Sequence, residues 1–496
     1  MLAPSLSRRS SGLLLHPTSL PGPGGIGDLG AGALEFLSFL SSAGQSWWQM
    51  LPVVVPGAGN SPYSSPSAFA GSPLLVSLED LTAEGWLEAS EAVLARGFSR
   101  DRVAYAAARR HKEKALGKAH RGFLERAGPE SRTAFEAFED ENRAWLEDFA
   151  LFTVIRRRAK KVWTRWDPEL RDRRPEALAR VRAAAAEELA REIFAQFCFQ
   201  RQWDLLKSRA GAAGVGLMGD IPLYVAHDSA DVWANRDDFQ LGPDGERLAV
   251  AGVPPDYFSK TGQLWGNPLY RWARMREGGY AWWVARLKRI FGLFDAVRLD
   301  HFIGFHNYWA IPAGETTAVK GEWLPGPGAD FFETVLKAVP QAQFVAEDLG
   351  VVTSGVAALR DRFGFPGMRV LQFTYPPAEP LGVEAPAEKT VVYTGTHDND
   401  TTAGWFEKHP APARVLWELG TDGREIHWDL IDVAMHSPAA LAVIPVQDLL
   451  GLGSEARMNV PATAMGNWDW RLASDALTPE IAARLNGLAV ETGRSS

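Results

Sequence analysis

The sequence predicts an α/β protein built as a (β/α)8 TIM barrel, and three observations carry that prediction. Eight short, continuously apolar runs recur along the 496 residues, helix-like segments lie between several of them, and most of the runs end in polar or charged side chains. A continuous apolar run is what a strand buried on both faces of a parallel sheet requires, and strands alternating with helices are the pattern of a closed barrel.

In order the runs are GLLLH (12–16), WWQMLPVV (47–54), VGLMGDIPLY (215–224), DAVRLDH (295–301), QFVAEDLG (343–350), GMRVLQF (367–373), VVYTGTHDND (391–400) and LAVIPVQDLL (441–450). Helical periodicity fills GALEFLSFLSSAG (32–44), WWVARLKRIFG (282–292), DFFETVLKAV (330–339) and SGVAALRDRFG (354–364). The spacing is uneven. About 160 residues separate the second and third runs, dominated by Ala/Arg/Glu-rich sequence such as PEALARVRAAAAEELAREIFAQF (175–197). Residues 80–205 therefore read as a mostly helical insertion in a single catalytic barrel spanning 1–496. After the third run, 225–280 reads as a loop subdomain rich in Gly, Pro and aromatics, and such a segment belongs on the active-site face of a barrel.

Composition excludes several classes. With 46% hydrophobic and 23% charged residues the chain is of ordinary globular make-up. A net charge of −8 gives no electrostatic footing for nucleic acid. The one cysteine, Cys198, can form neither an internal disulfide nor a CxxC metal site and suits a reducing cytoplasm. Arg8 and Arg9 precede only Gly12–Leu15 before His16 and Pro17, too short a core for an export signal. No run approaches the roughly 18 apolar residues of a membrane span. Neither nucleic acid nor membrane is expected as a partner, and the expected state is a monomer or weak homo-oligomer.

Nineteen Trp stand out, a residue suited both to filling cores and to stacking on sugar rings. Trp47, Trp48, Trp282 and Trp283 read as core, whereas Tyr257 and Trp265, on a Pro/Gly segment, read as ligand contacts. RRRAKK (156–161) reads as a solvated helix face and Cys198 as a buried filler. GPGGIGDLG (22–30) lacks the downstream acidic residue of a dinucleotide site.

Side chains at the C-terminal ends of barrel strands converge on one site. The ionisable ones are Asp220, Arg298, Asp300, Glu347, Asp348, His397 and Asp398. Arg298 and Asp300 lie two apart on a strand and share a face; in isolation that is most simply a buried ion pair. Three carboxylates from separate strands, Asp300, Glu347 and Asp398, repel one another in a low-dielectric pocket, which points to a metal or to catalysis. HExxH, a DxDxDG loop and a His cluster are all missing from the sequence, so neither metal nor organic cofactor is expected. Retaining glycosidic chemistry accounts for the set better. It needs an ionised nucleophile and a protonated acid roughly 5–5.5 Å apart. Arg298 would keep Asp300 ionised, and carboxylate neighbours would keep Glu347 protonated. Asp398, with His397, would grip sugar hydroxyls and stabilise oxocarbenium-like charge.

These motifs make the chain similar to the 4-α-glucanotransferase family, the amylomaltases or disproportionating enzymes related to the α-amylase clan. The resemblance runs through GLLLHPTSLPGPGGIGDLG (12–30), GNSPYSSPSAFAGSPLLVSLEDL (59–81), GDIPLYVAHDSADVWAN (219–235), VAGVPPDYFSKTGQLWGNPLY (250–270), VRLDHFIGF (297–305), AEDLG (346–350), YTGTHDND (393–400) and ARMNVPATAMGNWDWR (456–471). It implies transfer of α-1,4-glucan segments between maltooligosaccharides through a glycosyl-enzyme. Asp300 matches the nucleophile, Glu347 the general acid/base and Asp398 the transition-state stabiliser. Arg298 and His397 match contacts to sugar and nucleophile, Tyr63 an aromatic stacked on the sugar, and Asp220 a further sugar-binding acid. Tyr257, Phe258, Gln263 and Trp265 match a loop over the acceptor side, and Asn459 a sugar-contacting Asn. Three positions depart from the family pattern: Ile303 for an Arg found in some members, His306 for an acidic residue, and Ala462 for the Gly of MNxPGT. A retaining α-glucan hydrolase shares the carboxylates, and a covering loop that excludes water disfavours it. The presence of all three carboxylates disfavours a catalytically silent glucan-binding protein.

Overall fold

The computed structural model describes residues 5–93, 97–255, 259–375 and 386–495. Its strands are β1 (Ser10–Leu14), β2 (Trp47–Gln49), β3 (Gly216–Pro222), β4 (Ala249–Val253), β5 (Gln263–Pro268) and β6 (Ala296–Asp300), followed by β7 (Asn307–Pro312), β8 (Glu322–Pro325), β9 (Phe344–Ala346), β10 (Gly367–Val370), β11 (Thr390–Tyr393) and β12 (Leu441–Pro445). Eight of them close into a parallel barrel in the order β1-β12-β11-β10-β9-β6-β3-β2. Each barrel strand overlaps one of the eight predicted runs, and the remainder of most runs continues past the strand's C-terminal end, where the polar side chains sit.

The four predicted helices form over Ala31–Ser42, Ala281–Leu293, Gly328–Ala338 and Ser354–Arg362. The second turns Trp283, Leu287, Ile290 and Phe291 inward, the spacing of one helical face. Trp47, Trp48 and Trp283 are fully buried and Trp282 nearly so, which makes all four core. Gly12 is what lets β1 and β2 close: it pairs with Trp47, and a Cβ at residue 12 would lie 2.5 Å from the Trp47 Cβ.

Between β2 and β3 run the helices Tyr105–Arg126, Pro129–Ala159 and Ala186–Ala212. Lys112, buried on the first, ties this segment to the loop after β1. Its ammonium donates to the Asp28 carboxylate (2.8 Å) and to the carbonyls of Leu74 (2.8 Å) and Val76 (2.7 Å), using all three donors. Arg156 to Lys161 end the second helix, where positive charge suits the helix dipole. The five charged side chains are exposed, as a solvated face requires, and the arginines are also paired, Arg156 with Asp228 (2.7 Å) and Arg157 with Glu192 (2.6 Å). Among the described residues no helix is long and apolar enough to cross a membrane.

A second, antiparallel sheet of order β5-β4-β7-β8 lies beyond the barrel and was not predicted. β4 and β5 come from the segment read as a loop. β5 and β8 are mostly exposed, so they carry no continuous apolar run to reveal them. Val250 pairs with Pro268 but Gly252 with Leu264, which leaves Trp265 to Asn267 opposite Ala251 alone. That bulge, with Gly266 at φ 79°, re-aims the strand at Trp265.

Candidate active site

β3 and β6 lie side by side with Asp220 directly opposite Arg298, so both side chains leave the sheet on the same side. Arg298 Nη1 donates to both Asp220 oxygens (2.8 and 2.6 Å), and Nη2 lies 3.0 Å from Asp300 Oδ1. The Asp220 side chain is wholly buried and that of Arg298 nearly so, while Asp300 keeps 30% of its side chain exposed. One guanidinium thus serves a buried structural pair and an open carboxylate together. Burial pushes the Asp220 carboxyl up, and Arg298 and the Tyr63 hydroxyl pull against that. Burial also opposes the Arg298 charge, but the surrounding acids more than offset it and hold its pKa well above the ordinary value.

At the end of β6, His301 takes a left-handed conformation (φ 54°, ψ 52°). The ladder to β9 steps over it: Glu347 N–H donates to the Leu299 carbonyl and Phe302 N–H to the Glu347 carbonyl, each at 3.0 Å. The His301 N–H donates instead to Glu347 Oε2 (2.7 Å), and Leu349 N–H donates to Oε1 (3.1 Å). Both oxygens of the acid are therefore pinned. Burial raises the Glu347 pKa to about 8; Asp300 adds to the rise, while Arg298 and the two N–H groups oppose it. The cause differs from the sequence argument, which credited carboxylate neighbours; burial is the larger effect.

Tyr63 joins the two sides of the cluster. Its hydroxyl donates to Asp220 (2.8 Å). Its ring stacks on His397 (5.2 Å, 16°) and meets Trp468 at 5.6 Å. His397 and Asp398 follow β11 on a turn held by Thr396, whose N–H and hydroxyl donate to Asn399 Oδ1 at 2.9 and 2.7 Å. Asn459 Nδ2 donates to Asp398 Oδ1 (2.6 Å), and His397 Nε2 lies 3.4 Å from the same oxygen. Arg457 donates to the Asp398 carbonyl (2.6 Å) and the Asn459 carbonyl (2.8 Å), buckling the two loops together.

On β5 the Trp265 indole N–H donates to Gln263 (3.1 Å), and the ring stands edge-on to His301 (4.8 Å, 87°). Tyr257 and Phe258 lie outside the described residues. Of the sequence-predicted residues, Asp220, Arg298, Asp300, Glu347, Tyr63, His397, Asp398 and Asn459 thus form one connected cluster, with Gln263 and Trp265 joined to it through His301. Sequence reasoning missed His301, Arg457 and Trp468 as parts of the site. The available signal was proximity alone: His301 follows Asp300, and Arg457 precedes Asn459 by two. Among the described residues no three His, Cys, Asp or Glu side chains are grouped to hold a metal ion.

The departures from the family pattern have distinct settings. Ile303 is buried, and the His306 ring lies against Gly355, where a Cβ would meet it. Ala462 sits at φ 63°, a conformation that favours glycine and costs an L-residue ~1 kcal/mol. Ala462→Gly is therefore expected to raise stability by ~0.5–1 kcal/mol, read as a higher urea midpoint at unchanged slope.

A family model described as 4-α-glucanotransferase matches residues 15–477. The chain belongs to the 4-α-glucanotransferase family. The 4-α-glucanotransferase of Thermus thermophilus is 48% identical over 98% of this chain and 99% of its own length. That of Synechocystis sp. is 46% identical over 99% of both. The solved structure of the amylomaltase from Streptococcus agalactiae in complex with acarbose superposes with a TM-score of 0.95 at 34% identity, over 99% of this chain and 100% of that one. For a 4-α-glucanotransferase-family chain, the whole span from β1 to β12 is thereby accounted for.

Proposed function

We propose that this enzyme transfers α-1,4-glucan segments between maltooligosaccharides by a retaining double displacement, with Asp300 as nucleophile and Glu347 as acid and then base. The observation that carries the proposal is the contrast between two carboxyls beside one arginine. Asp300 keeps an open face and a guanidinium at 3.0 Å; Glu347, half-buried with both oxygens held by backbone N–H groups, retains its proton to about pH 8. In the first step an Asp300 oxygen bonds to the anomeric carbon, the bond to the departing chain breaks, and the Glu347 proton passes to the departing oxygen. In the second, the 4-hydroxyl of an acceptor bonds to that carbon, the ester to Asp300 breaks, and the hydroxyl proton returns to Glu347. Asp398, steadied by Asn459 and His397, stabilises the charge between them, while Tyr63 holds the sugar; Asp220, expected from the resemblance to bind sugar, is wholly buried and acts through Tyr63 and Arg298 instead. Gln263 and Trp265, with Tyr257 and Phe258, orient the acceptor and disfavour water.

On the same reading the enzyme needs no cofactor and works in the cytoplasm as a monomer or weak homo-oligomer. Residues 80–205 and 225–280 are insertions on one catalytic barrel. Incubation with maltotriose tests the reaction. Transfer yields glucose and longer oligomers at a constant number of reducing ends. A climbing number instead identifies the retaining hydrolase, and unchanged maltotriose a binding protein.

The acid also sets a pH limit. Its pKa is raised above the ordinary 4.5 to about 8, and the proton-bearing form is the active one in the first step. The glycosylation rate on maltotriose should hold up to about pH 8 and then fall tenfold per pH unit. A rate that stays level through pH 10 would remove Glu347 from the acid role.

A further inference from the structure

Three local features of the chain serve a single imidazole. His301 occupies a left-handed backbone position that Gly or Asn would fill at lower cost. Gly304 makes room for both the ring and Leu223, since a Cβ there would lie 2.9 Å from His301 Cδ2 and closer still to Leu223 Cδ2. The bulge in β5 brings the centre of the Trp265 ring to 4.8 Å from that of the imidazole, with the two planes at 87°. Among the described residues the imidazole's Nε2, which is buried, has no hydrogen-bond partner. Burial lowers its pKa to about 4, so the ring is neutral and brings no positive charge beside the acid. The same residue's N–H holds Glu347 Oε2 at 2.7 Å.

We propose that His301 is a positioning residue for Glu347, and that Trp265 of the β4–β5 hairpin acts on the acid through it. The imidazole, wedged between the indole edge and Gly304, fixes the left-handed turn, and the turn aims the N–H that orients the carboxyl. Strained backbone of this kind persists only where its surroundings over-determine it; here the indole and the glycine do so. The hairpin that covers the acceptor side then governs acid alignment as well as acceptor binding, so a displaced hairpin leaves a poorly aimed proton. This inference rests on the reading of Glu347 as the acid.

The test uses aryl α-maltosides of phenol and of 3,4-dinitrophenol, which place rings of similar shape in the leaving-group position but differ in their need for a proton. The glycosylation step is measured in single turnover. For His301→Ala, which removes the ring without supplying the left-handed preference of Asn or Gly, and for Trp265→Ala, the expected loss is about 30-fold on the phenyl maltoside and under about threefold on the dinitrophenyl one, within the range of a general acid. Trp265→Phe should recover most of the phenyl rate. Adding Trp265→Ala to His301→Ala should cost less than about a further twofold. A uniform loss on both substrates, no loss on either, or additive effects in the double variant would each overturn the proposal. Glu347→Gln, run in parallel, should lose about 10³-fold on phenyl and little on dinitrophenyl. If its loss is uniform, the acid assignment itself fails, and that failure is distinguishable from the failure of the positioning role.

Discussion

Asp300→Asn should abolish transfer while leaving the protein folded. The expected loss on maltotriose is at least about 10⁴-fold, ~5.5 kcal/mol of transition-state stabilisation. The amide cannot form the glycosyl ester, and nothing else in the cluster presents an open carboxylate beside Arg298. The variant should nonetheless unfold within ~1 kcal/mol of the parent. Arg298 keeps both bonds to Asp220, so no buried charge is left unpaired. Rates on maltotriose together with a denaturant titration check both halves. More than one part in a hundred of the activity surviving would exclude Asp300 as the nucleophile, and a collapse in stability would make the loss uninformative about chemistry.

Asp220→Ala should do the opposite, damaging the fold before the chemistry. It strips the buried guanidinium of its two shortest bonds and leaves it only the 3.0 Å contact with Asp300. Removing one partner of a buried pair typically costs ~3–5 kcal/mol, because the other charge stays desolvated. The Tyr63 hydroxyl loses its acceptor too, adding ~1 kcal/mol. A drop below ~1 kcal/mol in urea unfolding would mean that Arg298 finds another partner. Activity should fall with stability, because Arg298 would swing wholly onto Asp300 and Tyr63 would lose the bond that sets its stack on His397. The pair of variants thus separates the two duties of one arginine.

The barrel was legible because its strands are buried on both faces, so each is written as an unbroken apolar run. The carboxylates were legible for a related reason: charge at the end of such a run has nowhere to go except the mouth of the barrel. The small sheet was hidden because its outer strands β5 and β8 largely face solvent and β5 bulges. His301 was hidden because its contribution is made by its backbone, and a left-handed turn at a non-glycine residue leaves no compositional trace. Arg457 contributes through bonds to carbonyls, to which sequence patterns are blind. Trp265 was read as a loop residue but lies on β5; its reach comes from a strand bulge, which depends on a register that sequence alone does not fix.

The ring of strands is sealed where β1 lies against β12, Ser10 beside Leu441, the most distant strands in the chain. During synthesis the first strand must therefore wait, its apolar faces unsatisfied, until almost the whole polypeptide has left the ribosome. Such late closure makes for slow, aggregation-prone maturation, and it ties assembly of the Tyr63–His397–Asp398 side of the pocket to the last stage of folding.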